Sequence, residues 1–163
     1  YNTQIVHSPD ADSSQRIRVS TLVPALDEGL GENEVLVAFH FPESYAPNRC
    51  TESGIYFDGT GQSWQIQSPP EGSFCIVVST VKLEAGKTVE MATLETLEEY
   101  QFNYEIEQQT LGAFLLDVEA AEGGSDARWW SYDLNGGYGT IGMGEQMMDP
   151  GDHVDWHFDA GQF

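Results

Sequence analysis

The sequence predicts a mainly β, α+β fold, with a β-sandwich-like N-terminal region and a C-terminal half that contains one helix. Short segments of alternating polar and apolar residues recur between turns rich in Gly and Pro. A helical period occurs over residues 89–99. Apolar residues make up 40% of the chain and aromatic residues 12%, which is enough for a core. We therefore predict an extended arm over 1–15, a β-rich region over 16–79 and a second unit over 80–163.

Five strands are predicted in the N-terminal region. Alternation of apolar and polar residues indicates strands over 16–23 and 34–41, and two short strands over 54–57 and 63–67 flank a turn. The segment 74–81, FCIVVSTV, is almost uniformly apolar or β-branched. Such a composition is typical of a strand that is buried on both faces.

One helix and four further strands are predicted in the C-terminal half. In the helix, Met91, Leu94 and Leu97 recur at three-residue spacing and are expected to face the core. The strands are predicted over 102–106, 111–118, 129–134 and 153–158.

The predicted strand 129–134 places its aromatic residues on both faces of a sheet. Trp130, Tyr132 and Leu134 share one face and are expected in the core, whereas Trp129 points to the other side. Asn135-Gly136 follows directly, and this dipeptide strongly favours a tight turn between two strands.

Charge excludes two classes of partner. The chain has 27 acidic and 6 basic side chains, a formal net charge of −21. Nucleic acid binding requires clustered Lys and Arg, and anionic lipid surfaces attract basic proteins, so neither partner is expected. The longest apolar runs, such as 113–116, are far shorter than the roughly 20 residues that a membrane-spanning helix needs.

The two cysteines, Cys50 and Cys75, do not have the spacing of a zinc site. The sequence begins at Tyr1 without Met, which indicates either a processed chain or a cut fragment, and a processed chain suggests an oxidising compartment. A Cys50–Cys75 disulfide and a secreted or cell-surface location are therefore expected. Two buried, unpaired thiols are the alternative.

Motifs that resemble metal sites have simpler interpretations. His153 and His157 alternate with apolar residues, which predicts a strand whose polar face is solvated, and no metal site is expected. Segments 10–14 and 58–60 resemble fragments of calcium loops, but the first lacks the central Gly and the closing Glu of a helix-loop-helix site. We expect solvated loops there, with calcium a weak alternative.

No motif predicts an enzyme. Residues 137–142 spell G-x-G-x-x-G, but no helix pattern follows, so a loop between strands is favoured over a nucleotide site. The sequence has no G-x-S-x-G motif and no cysteine in a reactive setting. We expect a protein without catalytic residues.

Residues 80–158 resemble the transcobalamin-like C-terminal domain family. The resemblance rests on a Gly-x-Thr-Val motif at 86–89, the Trp-Trp-x-Tyr-x-x-Asn-Gly motif at 129–136 and a Gly-Asp-x-Val-x-Trp motif at 151–156. It implies a β-grasp fold, in which a mixed sheet wraps around one helix, for the unit 80–163. In the vitamin carriers of this family, the module covers one face of a corrinoid.

Two functions are expected from these features. The first is a structural subunit that assembles with itself into an extracellular filament, because a β-prone segment in the arm could add a strand to a neighbouring copy. That segment comprises Gln4, Ile5, Val6 and His7.

The alternative function is a surface module that binds a small molecule, such as a corrinoid-like compound or a glycan. Its apolar patch would contain aromatic side chains and a polarizable, Met-rich loop. These residues are Trp129, Tyr138, Met143, Met147 and Met148. Trp129 packing beneath the methionines is the simpler structural interpretation.

Overall fold

A computed structural model describes residues 18–22, 30–45, 47, 55–58, 63–65, 75–110 and 112–159. It shows ten strands and two α-helices, and it confirms the predicted β-rich α+β class. The helices are α1 Val19–Leu22 and α2 Val89–Glu99. The strands are β1 Glu34–Phe41, β2 Ile55–Asp58, β3 Ser63–Gln65, β4 Cys75–Lys82, β5 Tyr104–Gln109, β6 Gly112–Val118, β7 Ala121–Glu122, β8 Trp129–Leu134, β9 Gly137–Tyr138 and β10 His153–Asp159.

The larger sheet is mixed and has the order β3-β2-β4-β1-β10-β8-β9. Strand β10 lies between β1, to which it is parallel, and β8, to which it is antiparallel. Strand β4 pairs with both β1 and β2. Its first five residues are buried, in agreement with the prediction that segment 74–81 contains a strand buried on both faces. The predicted boundary between residues 79 and 80 falls inside β4, so strands from both predicted units share this sheet.

The smaller sheet has the order β5-β6-β7. This sheet lies beside β8. The two are joined by a hydrogen bond in which the indole Nε1 of Trp130 donates to the carbonyl of Ala121 in β7 at 3.0 Å. Strand β5 pairs with β6 along one edge, and nearly all of its side chains are exposed.

The core lies between the larger sheet, α2 and the inward face of β6. Val37 and Phe39 of β1 are fully buried in it, as are Val154 of β10 and Leu97 of α2. Aromatic rings fill its centre: Phe39 stacks on Trp156 with a centroid distance of 6.3 Å. Such rings bury large apolar areas and prefer offset or edge-to-face contacts.

The predicted extent of the helix and the predicted burial of Leu97 are confirmed, but the prediction is wrong at Met91. Met91 is exposed, and the buried residues are Val89, Ala92, Thr93, Thr96 and Leu97. The two threonines can be buried because their hydroxyls have partners. The Thr96 hydroxyl donates to the carbonyl of Ala92 at 3.0 Å, and the Thr93 hydroxyl accepts from the indole of Trp156 at 2.9 Å.

The strand predicted over 16–23 is wrong in its described part, where α1 spans Val19–Leu22. The amide of Val19 donates to Asp155 Oδ1 at 2.9 Å, and its side chain is fully buried. The weak alternation of this segment does not set its conformation, and its first helical residue is bound to a residue 136 positions away. Within the described residues, no helix is long and apolar enough to span a bilayer.

Candidate functional site: an aromatic cleft beside the edge of the larger sheet

A cleft of about 700 Å³ opens between β6, β8 and the segment 138–146, which we call the wall loop. Its volume is within the range of small-molecule sites in proteins. Three kinds of side chain line it: buried aromatic residues at its floor, exposed apolar residues at its rim, and a few polar residues.

The floor consists of Trp130, Tyr132 and Trp156, all of which are buried. Tyr132 and Trp156 are in contact, with a centroid distance of 5.2 Å. The polar atoms of all three side chains bind other parts of the protein: Trp130 donates to Ala121, Trp156 to Thr93, and the Tyr132 hydroxyl to the carbonyl of Ile141 at 2.6 Å. The floor therefore offers a ligand apolar surface and no free hydrogen-bonding group from these three side chains.

Burial raises the pKa of Tyr132 to about 12, so its hydroxyl stays protonated as a donor at neutral pH. The hydroxyl fixes the wall loop to β8 through Ile141. A close approach occurs at Gly139 as well, because a Cβ placed there would lie 2.5 Å from the ring of Tyr132. Only glycine lets the wall loop lie this close to the floor.

The wall loop is also attached to the first turn of α2. The amide of Glu90 donates to the carbonyl of Met143, and the amide of Val89 donates to the carbonyl of Gln146, both at 2.9 Å. The first amides of a helix have no partner within the helix, so the loop carbonyls satisfy them. Thr88 caps the same turn by accepting from the amide of Met91 at 3.3 Å.

The rim exposes large apolar side chains to solvent. Phe114 of β6 is 36% exposed, and Trp129 of β8 and Ile141 of the wall loop are each 45% exposed. An apolar cluster of this kind, next to a cleft, is typical of a binding surface.

The described residues that line the cleft include one charged side chain, that of Glu145. The other polar residues of the lining are Gln109, Ser131, Thr140 and Tyr138. The exposed Glu145 lies on the wall loop, where its amide donates to the carbonyl of Gly142 at 3.0 Å.

The structure brings together three of the five residues predicted for the ligand patch. Trp129, Tyr138 and Met143 line the cleft. Met148 is buried elsewhere, with its amide bonded to the carbonyl of Lys87, and Met147 is 51% exposed beside Thr88. Neither Met147 nor Met148 lines the cleft.

Several predicted residues lie outside the described part of the chain. They are Cys50, the arm segment Gln4–His7 and both segments that resemble calcium loops, apart from Asp58. Cys75 is buried at the beginning of β4, and the disulfide stays a prediction. The G-x-G-x-x-G segment forms β9 and part of the wall loop.

The polar face predicted for β10 is not solvated, because all seven residues of this strand are buried. The Nε2 atom of His40 and Oδ1 of Asp155 lie 2.8 Å apart, and the His40 ring stacks on that of His157 at 4.2 Å. The Nε2 atom of His157 lies 3.6 Å from Asp133 Oδ2. We call these four residues the buried polar cluster. In the described chain, no group of three His, Cys, Asp or Glu side chains has the geometry to hold a metal ion.

Sequence reasoning missed the residues of the cleft that come from elements distant in sequence. Phe114 belonged to a correctly predicted strand, but only the structure shows that it faces the cleft. Glu145 is one of 27 acidic residues, so its residue type alone did not indicate a binding role. The high content of Gly and Met in 136–148 was the available indication of an unusual loop.

Comparisons with known proteins find similarity at the level of the fold. No protein-family profile matches the chain, and no curated protein matches its sequence. Among solved structures, one similar protein is a Ruminococcus gnavus protein to which metal binding has been ascribed. The TM-score is 0.45 and the sequence identity is 14%. The alignment covers 80% of this chain and 100% of the Ruminococcus gnavus chain. Haptocorrin in complex with Cbi has a TM-score of 0.43 and 11% identity over 78% of this chain, which spans 26% of haptocorrin.

Proposed function

We propose that this protein binds a small molecule with a planar ring in the aromatic cleft. The observation that carries the proposal is the exposed rim of Phe114, Trp129 and Ile141 above a floor of buried rings. In a chain with a net charge of −21, a cluster of exposed apolar side chains beside a cleft of about 700 Å³ is a costly arrangement without a ligand.

The rigidity of the cleft supports the proposal. The floor rings are held by hydrogen bonds to Ala121, Thr93 and Ile141, and the wall loop is attached to α2 through Met143 and Gln146. A preformed site binds with less loss of conformational entropy than a site that must be ordered by its ligand.

A matched pair of variants tests the proposal. We expect Trp129→Ala to weaken binding of a ring ligand about tenfold, because stacking on an aromatic side chain contributes about 1 kcal/mol or more. Met147→Ala is the control, since Met147 is about as exposed but lies outside the cleft. Calorimetric titration with a panel of corrinoids, glycans and planar heteroaromatic compounds provides the affinities. Absence of binding across the panel, or an equal loss in both variants, would contradict the proposal.

Membership of the transcobalamin-like family is also part of the proposal. It is supported by the structural roles of the motif residues. Thr88 caps α2, and Asn135 and Gly136 both have positive φ, 52° and 86°, in the hairpin between β8 and β9. Gly151, with a φ of 87°, lies in the turn before β10.

Self-assembly by strand addition is a second candidate function, with a secreted or cell-surface location. One observation favours it: in the described chain, β5 pairs on one side only, with β6, and its six residues could accept a further strand. The donor segment Gln4–His7 lies outside the described residues.

Deletion of residues 1–12 tests this second function. We expect the shortened chain to stay folded and to lose self-association, because the strand donor is removed while the core residues remain. Electron microscopy and sedimentation measure the assembly, and circular dichroism measures folding. If the shortened chain forms filaments as readily as the full chain, the arm is not the assembly strand.

A further inference from the structure

The charge around the cleft distinguishes among ring ligands. Four of the six basic residues are described, Arg18, Lys82, Lys87 and Arg128, and none of them lines the cleft. The guanidinium of Arg128 donates to the carbonyl of Phe158, and the ammonium of Lys87 binds the carbonyl of Lys82 and the carboxylate of Glu95. An anionic ligand would therefore meet the Glu145 carboxylate without a compensating cation from these residues.

The aromatic surface of the cleft favours positive charge. The faces of Trp and Tyr rings carry partial negative charge, and cations bind them most strongly when the site is shielded from water. The N–H and O–H groups of Trp130, Trp156 and Tyr132 already have protein partners. These three side chains are almost fully buried, so the ring surface that a ligand meets comes mainly from Trp129, which is 45% exposed, and from the half-buried Tyr138.

From the accessible aromatic side chains of the cleft and from Glu145, the one charged residue in its described lining, we infer that the ligand is a cation: a planar ring that carries a quaternary or protonated nitrogen. This inference rests on the proposed function, because it specifies the chemical class for the same cleft. The ring lies against the rim at Trp129, and the nitrogen lies between the aromatic side chains and the Glu145 carboxylate. The net charge of −21 adds a long-range attraction for the same class of ligand.

Three bicyclic probes of similar size test the inference: N-methylquinolinium as the cation, quinoline in its neutral form, and naphthoate as the anion. We expect N-methylquinolinium to bind about tenfold more tightly than quinoline, and naphthoate to bind most weakly. Glu145→Gln should weaken N-methylquinolinium binding about fivefold and leave quinoline binding unchanged. Calorimetry on the full chain gives the affinities.

Glu84→Gln is the matched control. It removes the same charge from an exposed carboxylate that does not line the cleft, so it measures the effect of net charge alone. Equal affinities for the three probes, or equal effects of the two variants, would overturn the inference while the cleft remained a ring-binding site. Failure of all three probes to bind would count against both the inference and the proposed function.

Discussion

Trp156→Ala is expected to lower the free energy of unfolding by about 3–5 kcal/mol, the range for removing a large aromatic side chain from a core. Trp156 is 2% exposed, stacks on Phe39 and contacts Tyr132. The variant also leaves Thr93 without the indole donor that its buried hydroxyl accepts from. Urea denaturation followed by circular dichroism measures the change.

Trp129→Ala serves as the comparison, because it removes the same side chain from an exposed position in the neighbouring strand. Since Trp129 is 45% exposed, its loss should change stability by about 0.5–1 kcal/mol. If the two variants unfold at the same urea concentration, Trp156 does not have the structural role that its burial indicates.

Asp155→Ala is expected to lower stability by roughly 3 kcal/mol, because its carboxylate satisfies buried groups from two other elements. Its Oδ1 accepts the amide of Val19 in α1 and lies 2.8 Å from the imidazole Nε2 of His40 in β1. Removal of this oxygen leaves both groups in an interior that water does not reach. Thermal and urea unfolding at neutral pH measure the loss.

Two further substitutions provide controls for this result. Asp155→Asn keeps a side-chain oxygen that can accept a hydrogen bond, so its cost should be smaller than that of Asp155→Ala. Asp149→Ala removes an exposed carboxylate from the turn before β10 and should have little effect. A loss below about 1 kcal/mol for Asp155→Ala would show that α1 and β1 do not depend on this carboxylate.

Local pattern predicted much of the fold. Alternation located β1, β6, β8 and β10 to within a residue or two, and the helix over 89–99 matches α2. The Asn135-Gly136 signal was correct because both residues require positive φ, which few other dipeptides supply. These features depend on neighbours in sequence, so the sequence specifies them directly.

The errors arose where distant contacts determine the environment. The three-residue spacing of Met91, Leu94 and Leu97 predicts Met91 in the core, but buried hydroxyls with hydrogen-bond partners occupy the inward face of α2 at Thr93 and Thr96. The polar side of β10 appeared solvated, yet His157 and Asp155 lie beside His40 and Asp133 in adjacent strands. Pairing between buried polar groups cannot be recognised from one strand alone.

The cleft was only partly predictable for the same reason. Trp129, Tyr138 and Met143 were predicted because aromatic side chains next to a polarizable, Met-rich loop form an apolar patch that suits a ligand. Phe114 and Glu145 come from elements on either side of the Trp strand, and their proximity follows from the packing of the smaller sheet and the wall loop. That packing depends on hydrogen bonds which no short segment reveals.

The position of β10 has a consequence for how the chain reaches its native state. Strand β10 lies between β1 and β8, and both of these strands are translated before it. The parallel pairing of β1 with β10, which places Leu36 opposite His153, closes a loop of more than 100 residues. Until β10 inserts, two long, apolar strand edges lack their native partner and are open to aggregation. Folding should therefore be slow and late during biosynthesis, which makes an N-terminal fragment ending before residue 153 a substrate for chaperones.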